Sequence, residues 1–342
     1  GVQILAMGAI LQTATGISLI PAALIASIVT LAYTWSGGIL AVTLTDAVQY
    51  VIIVIGVTLC AYLAIDHLGG FDAMMSILYS NPRFETNMKP LANWSLVQFL
   101  GLFFSFLLGE FCAPYYIQRY ASTKSAKDSK NGLLIFGVHW IFFMATTAAI
   151  GLASMAIQPD VKPDLAFTNL IRDILPPGIT GLVFGALLAA VMSTGAAMIN
   201  TSAVIYTRDI YNKFINTAAT QAQLLRQSRL STLVVGGISI GVAIIFQDVF
   251  GLMIYMFKLW PSAILPPLMC GLLWGKISPY AGAPAVIAGG LSFFLWSDKV
   301  LGEPFGIPAN FIGIGMNCLV LFFVHQKMKG HKPEGPFLPD LN

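Results

Sequence analysis

Stretches of apolar residues about as long as a bilayer is thick recur along this chain, roughly ten times, and between them the charges are sparse. A helix needs about 20 such residues to cross the hydrocarbon core. The spacing predicts a short one from Gly1 to about Ala14, then runs near Leu19–Thr34, Ile39–Ala64, Trp94–Tyr116, Asn131–Ile157, Gly181–Tyr211, Leu230–Phe246, Phe250–Trp274, Ala281–Trp296 and Asn310–Val324. The turn Trp35-Ser36-Gly37-Gly38 separates the second from the third. Short helices are expected in two polar loops, at Phe71–Leu78 and near Leu165–Ile174. Hydrophobic residues make up 57% of the chain and charged ones 10%, against about 25% charged in soluble domains. An all-α polytopic membrane protein follows, with a transmembrane domain over 1–326 and a polar tail over 327–342. Its partner is the lipid bilayer.

The few charges are informative by position. Basic residues cluster in Arg119–Lys130, in Arg208–Arg229, at Lys276 and after the last span. One crossing per span puts all four clusters on one side, cytoplasmic by the positive-inside rule. A net charge of +3 confined to such loops gives no case for nucleic acid. The four cysteines lie in apolar segments without metal or disulfide spacing. No HExxH, GxSxG, P-loop or CxxC pattern is present, so the chain is not read as an enzyme. It starts at Gly1 inside an apolar run, which reads as a fragment lacking N-terminal helices.

The stretch from Gly181 to Tyr211 changes character midway. Ala190, Ser193 and Thr194 stand at i, i+3 and i+4 and share a helical face. Two hydroxyls and a carbonyl with a spare lone pair suit a hard cation. The same residue types also serve simply to let helices approach closely. Asp46, Glu110, His139 and Lys258 are ionisable residues within spans, where such groups are costly and mark functional positions. Each also has a plainer reading. Asp46 can pair with a helix dipole, Glu110 and Lys258 with each other, and His139 can be a packing residue. Pro114 and the cluster Pro261, Pro266 and Pro267 break backbone hydrogen bonds, which is tolerated where the backbone is buried or lines a cavity.

Four segments carry a resemblance. YTWSGGILAVTLTDAVQ (Tyr33–Gln49), IQRYASTKSAKDSKNG (Ile117–Gly132), AAVMSTGAAMINTSAVIYTRDIY (Ala189–Tyr211) and LLWGKISPYAGAPAVIAGG (Leu272–Gly290) resemble, in order, motifs of the sodium:solute symporter family. The resemblance implies a LeuT-type bundle of two inverted five-helix repeats, here partial, because on that scheme the fragment starts at the end of the third core helix and the first repeat is incomplete. It implies Na+ as the coupled ion, bound by the Ala190 carbonyl, Ser193 and Thr194, with Asp46 supporting coupling. It implies a multi-pass protein of a cell membrane, bacterial inner membrane by the family's pattern. It implies a substrate cavity bordered by Phe106, Glu110, Phe111, Trp140, Ile254, Tyr255 and Lys258. The choline-type branch has a Trp where this chain has Ala113, and the sugar-type branch a Lys where it has Trp140, so neither substrate transfers. Sodium-coupled symport of a small polar solute, such as an amino acid or monocarboxylate, is the leading expectation. A choline or sugar transporter and a membrane sensor of the same fold are the alternatives. For Lys258 two arrangements are open: an internal pair with Glu110, or a contact with a carboxylate on the solute, the second being preferred.

Overall fold

The computed structural model describes residues 1–82, 84, 95–116, 123–246, 248–274 and 277–329, with no account of the side chains of 37–44. Arg119, Lys276 and the tail beyond residue 329 lie outside the described residues. Eleven α-helices are described: α1 Val2–Thr15, α2 Leu19–His67, α3 Phe71–Ser80, α4 Leu96–Cys112, α5 Ala126–Ile157, α6 Pro163–Ile174, α7 Pro177–Ile205, α8 Gln221–Phe246, α9 Val249–Trp274, α10 Gly282–Trp296 and α11 Ala309–Lys327. A π-helix, Tyr206–Ile215, continues α7. Among the described residues nine helical segments are long and apolar enough to span a membrane, α2 supplying two of them, and α1 is a shorter apolar helix.

The helices outrun the apolar stretches on the basic side. α5 starts at Ala126 rather than Asn131, with Ser125 as its N-cap accepting from the Asp128 amide at 3.1 Å. α8 starts at Gln221 rather than Leu230. The expected basic loop from Arg208 to Arg229 is therefore mostly the π-helix and the first turns of α8. Once capped, a helix continues into water without an apolar face, and Asp209 and Lys213 support the π-helix with an ion pair at 3.0 Å.

The turn expected at Trp35–Gly38 is not a break in α2, whose backbone stays helical from Leu19 to His67. Glycines cost a helix only about 1 kcal/mol each and do not stop it alone. The helix is bent, however. Tyr33 contacts α7 at Met192 and Gly56 contacts it at Val183 and Ala186. Those points on α7 are roughly 14 Å apart, whereas straight helix from Tyr33 to Gly56 would cover roughly 35 Å.

The chain divides into two compact units, Gly1–Met88 with Gln118–Phe250, and Lys89–Ile117 with Gly251–Asn342. In the first, the outer ends of α1, α2, α5 and α7 enclose a core that includes Val57, Ile150 and Val183. The loop helices α3 and α6 close it: Met74, Leu78, Leu170 and Ile171 are each at most 1% exposed. Both carry an apolar face toward this core and a polar one away from it, as amphipathic loop helices do. Outside the spans, the Arg172 guanidinium bonds Asp173 at 2.8 Å and holds its carboxyl below the usual range.

The second unit is built around the prolines of α9. A proline has no N–H for the carbonyl four residues before it, so Pro266 and Pro267 orphan the carbonyls of Ser262 and Ala263. Asn317 of α11 answers both: its Nδ2 donates to the Ser262 oxygen at 3.0 Å and to the Ala263 oxygen at 2.7 Å. Its own Oδ1 is buried without a partner, so donation is what the site needs. Asn310 donates to the Gly101 carbonyl of α4 at 3.3 Å. Gly289 and Gly313 let the backbones meet here; a Cβ on Gly289 would come within 2.8 Å of Asn317.

Replacing Asn317 by Leu should leave two buried carbonyls unpaired and destabilise the protein by about 2–5 kcal/mol. Thermal unfolding of the purified full-length protein measures this. Combining Asn317→Leu with Pro266→Ala and Pro267→Ala should recover part of the loss, since α9 can then bond its own carbonyls. A triple variant no more stable than Asn317→Leu would refute the account.

Candidate functional site

α7 brings three oxygens together in its middle. The hydroxyls of Ser193 and Thr194 both donate to the Ala190 carbonyl, at 2.8 and 3.1 Å. The helical spacing places them there, and neither residue is fully buried. Such back-bonding occupies the carbonyl's lone pairs. The spare lone pair expected on Ala190 is thus engaged, and the free lone pairs belong to the two hydroxyl oxygens. A cation approaching from the open side meets Ser193 and Thr194 oxygens whose protons already point away from it, an arrangement that needs no rotamer change.

The turn that carries these oxygens is fixed from α2. Tyr33 donates its hydroxyl to the Met192 carbonyl, one residue before Ser193, at 2.9 Å. Asp46 is half-buried near the start of the second span of α2. Tyr33 and the Ser193 turn are joined within the first unit by the Tyr33–Met192 bond. Tyr33 was not singled out by the sequence, although it heads the Tyr33–Gln49 motif; a lone Tyr at a span end reads as an interface anchor. From α1, Gln3 packs against Gly195, the next turn of the same helix.

His139 contacts Tyr50 of α2 edge to face, at 5.1 Å between ring centres, and sits beside Phe143. This is an aromatic packing role. Trp140 stacks on Phe136 and Phe143 and remains 42% exposed.

In the second unit Lys258 pairs with Glu303 and not with Glu110. Its Nζ lies 3.0 Å from Glu303 Oε1, an ion pair about four-fifths buried on both sides. The same oxygen accepts the Ala309 amide at 3.1 Å and so caps α11. Glu303 is reached by a tight loop in which Gly302, Glu303, Phe305 and Gly306 all have left-handed backbone angles. Sequence reasoning missed this partner because Glu303 lies in a loop 45 positions away. Glu110 is bonded instead by the hydroxyls of Tyr115 and Tyr116, and its Oε2 is buried without a partner. Phe106 packs on Phe257 at 4.7 Å and Tyr255 on Phe293 at 5.0 Å. Phe111 is 54% exposed, and Ile254 is half-buried. Among the described residues no cluster of His, Cys, Asp and Glu could hold a transition metal.

Residues 1–289 match the sodium:solute symporter family. The osmoregulated proline transporter OpuE of Bacillus subtilis is 28% identical over 80% of this chain and 56% of its own length. The sodium/proline symporter of Escherichia coli is 26% identical over 79% of this chain and 55% of its own. The chain thus spans little more than half the length of these relatives. A solved structure of a Na+-coupled sialic acid symporter superposes with a TM-score of 0.71 over 98% of this chain and 72% of that one, at 20% identity. That likeness shows the fold: an all-helical, multi-pass LeuT-type bundle, in part, as the motifs implied. The family is one of transporters and not of enzymes.

Removing Lys258 alone, as in Lys258→Met, should cost about 1–3 kcal/mol because Glu303 stays behind without its cation. The double change with Glu303→Gln should recover much of this, since Gln still accepts the Ala309 amide. Thermal unfolding of the two variants checks the pair; purely additive losses would contradict it.

Proposed function

Because the chain belongs to the sodium:solute symporter family, we propose that the full-length protein couples sodium entry to uptake of proline. The observation that carries the sodium half is the convergence of Ser193, Thr194 and Ala190 oxygens on one face of α7. The two hydroxyl oxygens carry the free lone pairs, and the Ala190 carbonyl, which accepts from both, fixes their direction; neutral oxygens of this kind suit a hard cation. Proline is favoured over other solutes because the two relatives named above carry that substrate in their names. It replaces the broader expectation of a small polar solute, and the choline and sugar alternatives fall behind it.

In this reading sodium binds on α7 and stabilises the α2–α7 contact through Tyr33 and Met192, while Asp46 supports coupling from the same side. Phe106, Phe111, Ile254 and Tyr255 of the second unit give apolar contact for a pyrrolidine ring. Glu110, with a carboxyl oxygen left unbonded, is suited to receive the imino nitrogen. Lys258 is withdrawn from solute binding by Glu303. Sodium and solute then favour the same conformation, and each raises the other's affinity by the same factor.

Proteoliposomes containing the full-length protein test this. An inward sodium gradient should drive accumulation of labelled proline, and replacing sodium by potassium should abolish it. Equal uptake in potassium would overturn the coupling, and sodium-driven uptake of other solutes but not proline would overturn the substrate. Ser193→Ala and Thr194→Ala each remove one oxygen from a charged ligand, worth about 1.5–3 kcal/mol, so half-saturating sodium should rise roughly ten- to a hundredfold. Unchanged sodium dependence in both variants would remove the ion from α7. Asp46→Asn should weaken the sodium response and leave the order of competing solutes intact; a reordered preference with a normal sodium response would make Asp46 a solute ligand.

A further inference from the structure

The first unit contains a cavity of about 740 Å³ where α8 emerges on the basic side, bounded by Trp35, Tyr211, Leu225, Arg226, Arg229 and Leu230. Arg226 and Arg229 stand at i and i+3 and share a face of α8. Among the described residues neither guanidinium has a hydrogen-bond or ion-pair partner. Arg229 lies over the Trp35 ring at 5.4 Å, and Trp35 closes the first span of α2, Leu19–Ser36. A Trp at a span end sits at headgroup depth. Leu230 and Leu233, which also line it on the membrane side of the arginines, are 54% and 48% exposed, so the cavity is apolar along the direction in which α8 enters its span. Tyr211 adds a hydroxyl from the π-helix.

Two unpaired guanidiniums at headgroup depth, with a leucine wall leading into the hydrocarbon, match an anion that carries an acyl chain. We propose that this cavity binds an anionic phospholipid. Its phosphate is held between Arg226 and Arg229, and its acyl chain runs along Leu230 and Leu233. A soluble phosphate would use the arginines and leave the leucines idle. An acidic peptide would have no use for a cavity whose wall continues into the membrane. Basic pockets between spans on the cytoplasmic side commonly take such headgroups. The bound lipid would rest against the π-helix that continues α7, so it would brace the segment following the three-oxygen turn.

The test uses the full-length protein, delipidated in detergent and titrated with phosphatidylglycerol or phosphatidylcholine under native mass spectrometry. The wild type should retain phosphatidylglycerol in preference to phosphatidylcholine. Each arginine near a charged lipid surface is worth about a fivefold change, so Arg226→Gln with Arg229→Gln should weaken phosphatidylglycerol about thirtyfold. Arg226→Lys with Arg229→Lys should keep most of it. Leu233→Gln should weaken the lipid without affecting glycerol 3-phosphate. Equal retention of both lipids, unchanged retention in the Gln pair, or displacement of the lipid by equimolar glycerol 3-phosphate would each overturn the proposal. Should the Gln pair fail to fold, phosphatidylglycerol with brominated acyl chains decides it in proteins that keep both arginines. It should quench wild-type fluorescence more than that of Trp35→Phe, and equal quenching would refute the site.

Discussion

Every backbone carbonyl in the hydrocarbon must find a donor inside the protein, and the architecture of the second unit follows from that rule at α9. Two adjacent prolines leave two carbonyls that water cannot reach. One side-chain amide, Asn317 Nδ2, reaches both because α11 lies close against the kink. That approach in turn demands glycine at positions 289 and 313, where any side chain would displace the amide or Ser262. Ser262, fully buried, continues the network by donating to the Lys258 carbonyl at 2.7 Å. The two prolines, the two glycines and Asn317 are one solution to one shortage of donors.

The first unit meets the same rule more simply, since α7 contains no proline after its first turn. Its carbonyls are satisfied within the helix, and the hydroxyls of Ser193 and Thr194 fold back onto one of them. The side chains are thereby pre-arranged with their oxygens outward, and Tyr33 holds the preceding turn from outside. Order is imposed on the oxygens by backbone hydrogen bonding and one neighbouring hydroxyl, which limits the entropy lost when a ligand is held.

Much of this was legible in the sequence because membrane spans are set by length and hydropathy, which are local properties. The expected spans match the observed helices within a few residues, except where helices continue into water under a cap such as Ser125. The i, i+3, i+4 placement of Ala190, Ser193 and Thr194 was equally local, and the oxygens meet as the spacing required. What could not be read were partners distant in the chain. Pro266 and Pro267 announced a shortage of donors, but nothing near them named Asn317. Lys258 announced a need for a carboxylate, and Glu110 was the nearest one in a span; the loop residue Glu303 took it. The Gly37-Gly38 pair pointed to a turn, and the backbone there stays helical while its axis bends. Hydropathy is blind to that distinction.

The loop before α11 has a property that its ion pair alone does not convey. Glu303 and Phe305 hold left-handed backbone angles, φ 50° and 59°, which cost of order 1–2 kcal/mol per residue for L-amino acids. Glu303 Oε1 serves both Lys258 and the start of α11, and it is not alone: the Glu303 amide donates to the Trp296 carbonyl at 3.1 Å, the Gly302 amide to the Ser297 carbonyl at 3.0 Å, and the Trp296 indole to the Ile307 carbonyl at 3.0 Å. A strained segment tied at that many points is a rivet: α9, α10 and α11 are joined there, and the loss of any one tie leaves the others to hold the strain.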